Sequence, residues 1–328
     1  MGTKEQILEQ LEQHRGTALS GQALAHRLGV SRTAVWKAVR TLQDQGHSIR
    51  ALPNRGYQLM PGSPALSEPG IRRWLGGTAP IEVHHSIDST NTRARQLAAA
   101  GAPHGTLVVA DHQTAGRGRR GRSFVSPPGT GLYLSVVLRS ALPMEQMVLA
   151  TSAAAVAVRR AVQQVCGCTL GIKWVNDLYA RGKKCCGILT EASADLETGG
   201  VDYLVVGIGL NLLEPGQGWP PELQAIAGAI LELGTPVDRS RLAGVVAAQL
   251  LELAEGLPDA GFMQEYRAAN IVPGQQVTVL QNGSSRPARA LDITDQGHLL
   301  IREADGTRQE LSFGEVSIRV SEPGRQEG

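Results

Sequence analysis

The chain has 328 residues, 42% of them apolar and 19% charged, and a net charge of only +2. That length exceeds one ordinary domain, the composition excludes a disordered or collagen-like chain, and the near-neutral total excludes a chain that is polybasic throughout. The charge is uneven: residues 1–60 hold eight Lys/Arg against four acids, a net +4, which leaves −2 for the remainder and suits a polyanion partner for the head alone.

At the N-terminus Ile7, Leu8 and Leu11 sit at helical spacing over residues 4–14. Ser20 then caps a helix over Gly21–Leu28 that Gly29 stops, and Ser31 caps another over Arg32–Gln45, followed by Gly46. Two short helices around Gly29-Val30 make a helix-turn-helix pattern, and Ile49–Leu52 with Tyr57–Leu59 across Pro53-Asn54-Arg55-Gly56 makes a hairpin, or wing. The last helix buries Val35, Val39 and Leu42. Arg32, Thr33, Lys37 and Arg40 are left on the face that a recognition helix turns to the major groove, with Arg55 at the wing tip. A winged helix-turn-helix is expected over 1–62. No apolar run is long enough to span a membrane and no leader is visible, so a cytoplasmic protein is expected.

Pro61-Gly62-Ser63-Pro64-Ala65-Leu66-Ser67-Glu68-Pro69 reads as a joint. A mixed α/β domain is expected over 70–270. Ser89 caps a helix ending before Gly101, and Gln146–Val165 and Leu242–Leu253 are further helices. Thr106–Asp111, Leu132–Leu138, Leu170–Val175, Gly187–Glu191 and Tyr203–Ile208 are strands. Short strands then alternate with turns such as Asn282-Gly283 and Asp305-Gly306, which predicts an SH3-like barrel over 271–321, with Gly324–Gly328 a loose tail. The whole is α+β in class. Cys166, Cys168, Cys185 and Cys186 lack the Cys-x-x-Cys spacing of a metal knuckle and read as reduced apolar residues.

Chemistry concentrates in Ala115-Gly116-Arg117-Gly118-Arg119-Arg120-Gly121-Arg122. The run satisfies Gly-x-Gly-x-x-Gly, but Ser123-Phe124-Val125-Ser126-Pro127-Pro128 follows where a dinucleotide-binding turn would open a helix. Glycines that let backbone N–H groups approach an anion, with permanently charged guanidiniums between them, read as an anion clamp. Asp88-Ser89-Thr90-Asn91 sets polar groups at a helix start. Lys173-Trp174-Val175-Asn176-Asp177 ends a buried strand at a pocket rim, and Lys184 follows soon after.

These motifs, with Gln113, Gly187 and Gly207-Ile208-Gly209-Leu210-Asn211, stand in an order and spacing that resembles the bacterial biotin–protein ligases, and the winged helix resembles the subgroup that doubles as a repressor. The resemblance implies formation of biotinoyl-AMP from biotin and ATP, with Mg²⁺ arriving on the substrate and no metal held by the protein alone. Transfer then goes to a lysine of a biotin carboxyl carrier protein domain, with operator DNA and a homodimer as further partners. It implies that Ser89, Thr90, Asn91, Gln113, Arg117, Gly118, Arg119, Lys184 and Gly187 contact biotin. Arg120, Arg122, Lys173, Asn176, Asn211 and Trp219 are implied on the nucleotide side, and Lys184, Asp177 and Arg119 in catalysis. The chain departs from the family's usual residues at Val175 and Phe124. A lipoate-type ligase and a ligand-sensing regulator with an inert core are the alternatives.

Overall fold

The computed structural model describes residues 2–139, 147–194, 201–257, 259–281, 284–312 and 314–318. The head contains α1 (Thr3–Gln13), α2 (Gly21–Leu28), α3 (Arg32–Asp44), β1 (Ile49–Leu52) and β2 (Gly56–Leu59). Ser20 and Ser31 accept from the amides of Ala23 and Ala34, and Gly29 takes the left-handed φ of 63° that ends α2. Ile7, Leu11, Leu24, Val35, Val39 and Leu42 form a core of their own, with Ile49 paired to Leu59 beneath it.

His47 is buried in this head, and burial together with Arg15 and Lys4 pushes its imidazole down to about 4 from 6.5. The folded head therefore keeps the ring neutral where the unfolded chain protonates it. Stability is full above pH 6.5 and is lost as pH falls from there toward 4, by up to ~3 kcal/mol. His47→Gln is expected to flatten that slope in thermal melts of the head taken across this range. An unchanged slope would assign the acid sensitivity to other groups.

The proline-rich joint is braced. Ser63 and Ser67 are buried, and Ser67 caps α4 (Glu68–Leu75), which begins inside the joint. The Ser67 hydroxyl donates to Glu12 at 2.7 Å, and Arg15 pairs with Glu12 at 2.8 Å and with Asp238 at 3.2 Å. Glu12 faces inward from α1 and Arg15 from the turn after it, and these charges need partners once buried.

The middle of the chain runs β3 (Ile81–Ile87), α5 (Thr90–Ala99), β4 (Leu107–Gln113), β5 (Gly131–Leu138), α6 (Met147–Cys166), β6 (Gly171–Lys173), β7 (Asp177–Ala180), β8 (Lys183–Ala194), β9 (Val201–Asn211), α7 (Arg239–Glu255) and α8 (Met263–Ala268). The expected start of α6 at Gln146 lies outside the described residues. The seven strands form one sheet in the order β3-β4-β5-β9-β8-β7-β6, with only β3 and β4 parallel. Strand alternation sends Val206, Ile208 and Leu210 into the main core with residues of α6 and α7. Tyr203 and Val205 point to the opposite face, where Ala94 and Ala98 of α5 pack.

β10 (Gln276–Gln281), β11 (Ser284–Ile293), β12 (Leu299–Glu303), β13 (Arg308–Leu311) and β14 (Glu315–Ile318) form the C-terminal module, an antiparallel sheet in the order β13-β12-β11-β10-β14. The turn at Asn282-Gly283 and the tail Gly324–Gly328 lie outside the described residues. Val277, Val279, Ala290, Ile301 and Val316 continue the main core, and the Trp174 indole donates to the Gly297 carbonyl at 2.9 Å. The module is thereby fastened beside the sheet.

Candidate active site

On the α5 face the sheet has a floor without side chains. Gly207 and Gly209 of β9 follow Val205 at strand period, and Gly187 of β8 pairs with Gly209. A Cβ on Gly207 would strike the Asn91 amide, and one on Gly209 the Phe124 ring. The floor opens into a cleft of about 510 Å³, within the range of small-molecule sites.

At one end the cleft is lined by Ser89, Thr90, Asn91 and Gln113. Ser89 stands at the N-cap of α5, but its hydroxyl makes no capping bond, contrary to expectation. Instead, Gln113 Oε1 accepts from the Thr90 amide at 2.9 Å and the Thr90 hydroxyl at 3.1 Å, while Gln113 Nε2 donates to the Ser126 hydroxyl at 2.9 Å. Ser135 donates to Asn91 Oδ1 at 2.6 Å, and Asn91 Nδ2 donates to Glu191 at 2.9 Å. The Thr90, Asn91 and Gln113 side chains are thus each fixed by another, so this part of the polar end is organised in advance.

The Arg117–Arg122 loop closes the roof. Arg119–Gly121 form a single 3₁₀ turn, and Arg120 and Gly121 take left-handed φ values of 56° and 72°. The sequence reads this run as a clamp for a bound anion. The structure supplies counter-charges from the protein. Arg117 pairs with Glu191 at 3.0 Å and Arg122 with Glu315 at 2.8 Å. Arg119 donates to Asn176 Oδ1 at 2.8 Å and to the Gly314 carbonyl at 3.1 Å. Glu191 and Glu315 were not singled out from the sequence, where each is one ordinary acid remote from the loop.

The Lys173–Asp177 stretch also departs from expectation. It does not end one strand but turns between two, β6 closing at Lys173 and β7 opening at Asp177, with those two residues paired. Lys184 on β8 reaches back across the hairpin, its Nζ 2.7 Å from Asp177 Oδ1. Lys173 lies over Tyr179, 5.5 Å from the ring centroid. Burial lowers the Lys173 pKa, opposed by Asp177 and Glu315, and burial pushes the Tyr179 phenol up to about 12. Gly118, Arg120, Gly187 and Asn176 also border the cleft, the last donating to the Ile188 carbonyl at 2.9 Å.

At the far end Asn211 and Trp219 line the wall. Asn211 Oδ1 and the Trp219 indole N–H are buried and, among the described residues, have no hydrogen-bond partner. An orphaned buried acceptor and donor cost ~1–3 kcal/mol each unless a ligand meets them. A heterocycle carrying both an amine and a ring nitrogen suits that pair.

Asp177 and Glu315 are the carboxylates lining the cleft, and among the described residues no three His, Cys, Asp or Glu side chains converge. That donor set fits a magnesium ion carried in on a nucleotide's phosphates and not one caged by protein. On the head, Arg32, Thr33, Lys37, Arg40 and Arg55 are all exposed. Trp36, on the same helix face and 53% exposed, was missed because tryptophan at helical spacing reads as core.

Residues 83–211 match the Biotin/lipoate A/B protein ligase family, residues 3–58 an HTH domain, and residues 273–319 the Biotin protein ligase C terminal domain. The Bifunctional ligase/repressor BirA of Bacillus subtilis is 35% identical over 93% of this chain and 96% of its own. The Escherichia coli protein of the same name is 30% identical over 92% and 94%. A solved structure, "Biotin protein ligase from Aquifex aeolicus in complex with biotin and ATP", is 28% identical with a TM-score of 0.59, covering 74% of this chain and 99% of that one. With the arginine loop roofing the cleft, Lys184 at its wall and a winged helix ahead of it, the chain belongs to the bifunctional biotin–protein ligase and repressor family.

Proposed function

We propose that the cleft joins biotin to AMP and passes biotin to a lysine of a biotin carboxyl carrier protein domain, and that the winged helix represses biotin genes. The observation that carries the catalytic reading is the convergence of Lys184, the arginine loop and the Gln113 network on one cleft with a glycine floor. The polar end takes the biotin ring, whose ureido group offers both donors and acceptors. The glycine floor takes its flat apolar body, and Asn211 and Trp219 take adenine.

A carboxylate oxygen of biotin attacks the α-phosphorus of ATP. The new O–P bond forms as the bond to pyrophosphate breaks, leaving a mixed anhydride. Negative charge accumulates on the phosphoryl oxygens, and Lys184, Arg119 and Arg120 offset it as cationic donors. Magnesium bound to ATP supplies further charge neutralisation. The closed loop keeps water from the anhydride. In the second step the carrier lysine, as a neutral amine, attacks the acyl carbon and AMP leaves. The free amine has a pKa near ~10.4 and must shed a proton. Asp177 takes that proton in this reading, which its place on the cleft and its pairing with Lys184 support.

The protein acts in the cytoplasm as a homodimer whose paired heads meet a two-fold operator. Sedimentation with and without biotin plus ATP tests the dimer: a monomer under both conditions rules it out. On DNA, Arg55→Ala is expected to weaken binding alike across sequences and to reduce the salt slope by about one. Titrations at several salt concentrations measure it, and an unchanged slope removes the wing from the interface. The cleft reading is tested by mixing the protein with biotin, ATP and magnesium and measuring pyrophosphate. Omission of biotin should abolish release, and substitution of lipoate should not restore it.

A further inference from the structure

Arg239 opens α7 and is 5% exposed. It does not line the cleft, yet its guanidinium holds three separated pieces of chain. One terminal nitrogen donates to the Asp111 carboxylate and, at 3.0 Å, to the Gly131 carbonyl; Nε donates to the Pro64 carbonyl at 2.7 Å. Asp111 lies near the end of β4, and Gly131 is the first residue of β5. Everything between them is the excursion that carries Gln113, the arginine loop and Phe124. Asp111 Oδ1 also accepts from the Gly129 amide at 3.0 Å, and its other oxygen lies 3.7 Å from the exposed His85. Both feet of the excursion are thus closed by one ion pair whose arginine is buried and whose aspartate is half-buried. The third contact, Pro64, belongs to the braced segment between winged helix and ligase.

Burying such a pair gains little stability over apolar packing, whereas removing one partner strands the other charge. What the pair does supply is geometry: a forked donor fixes several acceptors at once. We propose that Arg239 and Asp111 are positioning residues that set the pose of the arginine loop over biotin, and that the Pro64 bond makes the interdomain segment share that anchor. The proposal rests on the biotin-ligase reading of the cleft. Neither residue touches the reacting atoms, so the effect falls on biotin affinity and not on the chemical step.

Hydrogen–deuterium exchange of the full chain, read by mass spectrometry with and without biotin, tests it without needing activity. Asp111→Asn preserves shape and the acceptor for Gly129 while removing the charge; Arg239→Lys keeps a charge and loses the fork. Both variants should speed exchange across residues 114–125 about tenfold, the loss of roughly one charge-assisted hydrogen bond, with the α6 and β9 peptides unchanged. The biotin KM should rise about tenfold with kcat within about twofold, and the double variant should be no worse than either single one. In the parent, biotin should slow exchange in residues 61–67 as well as in the loop, and in the variants only in the loop.

Folded variants that exchange in the loop at the parental rate, or that lose kcat with KM unmoved, overturn the proposal. A parent in which biotin leaves residues 61–67 unaffected removes the shared anchor. Should Arg239→Lys fail to fold, Asp111→Asn decides alone. A parent that makes no adenylate defeats the ligase reading, while exchange in the ligand-free chain still decides whether the pair holds the loop.

Discussion

Lys184→Ala is expected to slow pyrophosphate release from biotin and ATP by about a hundred- to a thousandfold, the scale on which the loss of one preorganised oxyanion donor slows a reaction. Two effects add. The variant loses a cation at the cleft wall, and it leaves Asp177 without its partner at 2.7 Å, so an uncompensated carboxylate then faces the incoming phosphates. Thermal stability should change little, because both side chains are partly exposed and such pairs contribute ~0–1 kcal/mol. A pyrophosphate-release assay beside a melting curve separates the outcomes. Release at the parental rate from a folded variant would take Lys184 out of the adenylation step.

Arg119→Gly has the second largest expected effect, and on a different step. Its guanidinium ties the loop to Asn176 on the β6–β7 turn and to the Gly314 carbonyl at the entry to β14, so one side chain clasps the roof to both walls. Losing two charge-assisted bonds of ~1.5 kcal/mol or more each should let the adenylate escape about a hundredfold faster, while its formation, with one cation fewer, is slowed but not abolished. The visible consequence is acylation of exposed lysines on a bystander protein mixed with the reaction. A variant that retains labelled adenylate through gel filtration as long as the parent does would show that Arg119 is not part of the clasp.

Much of this was legible locally. Ser20, Ser31 and Gly29 mark the helices of the head because caps and stops act within a few residues. The Arg117–Arg122 loop is visible because glycine and arginine concentrate there. The missed pieces lacked such signals. α4 begins at Glu68-Pro69-Gly70, which reads as loop, although proline is well tolerated in a first helical turn. β3 carries His84, His85 and Ser86, too polar to stand out as a strand. The β6–β7 turn at Trp174-Val175-Asn176 contains neither glycine nor proline. Glu191, Glu315, Asp111 and Arg239 could not be matched to the loop at all. Their pairings span long stretches of sequence and exist only once the sheet order is known, so periodicity carries no trace of them.

The most direct test of the account is mass spectrometry of a biotin carboxyl carrier protein domain incubated with this protein, biotin, ATP and magnesium. The account predicts that the carrier gains the mass of one biotinoyl group on a single lysine, that omitting ATP prevents it, and that Lys184→Ala delays it. A carrier that stays unmodified beside a folded protein, or that takes lipoate as readily as biotin, would contradict it.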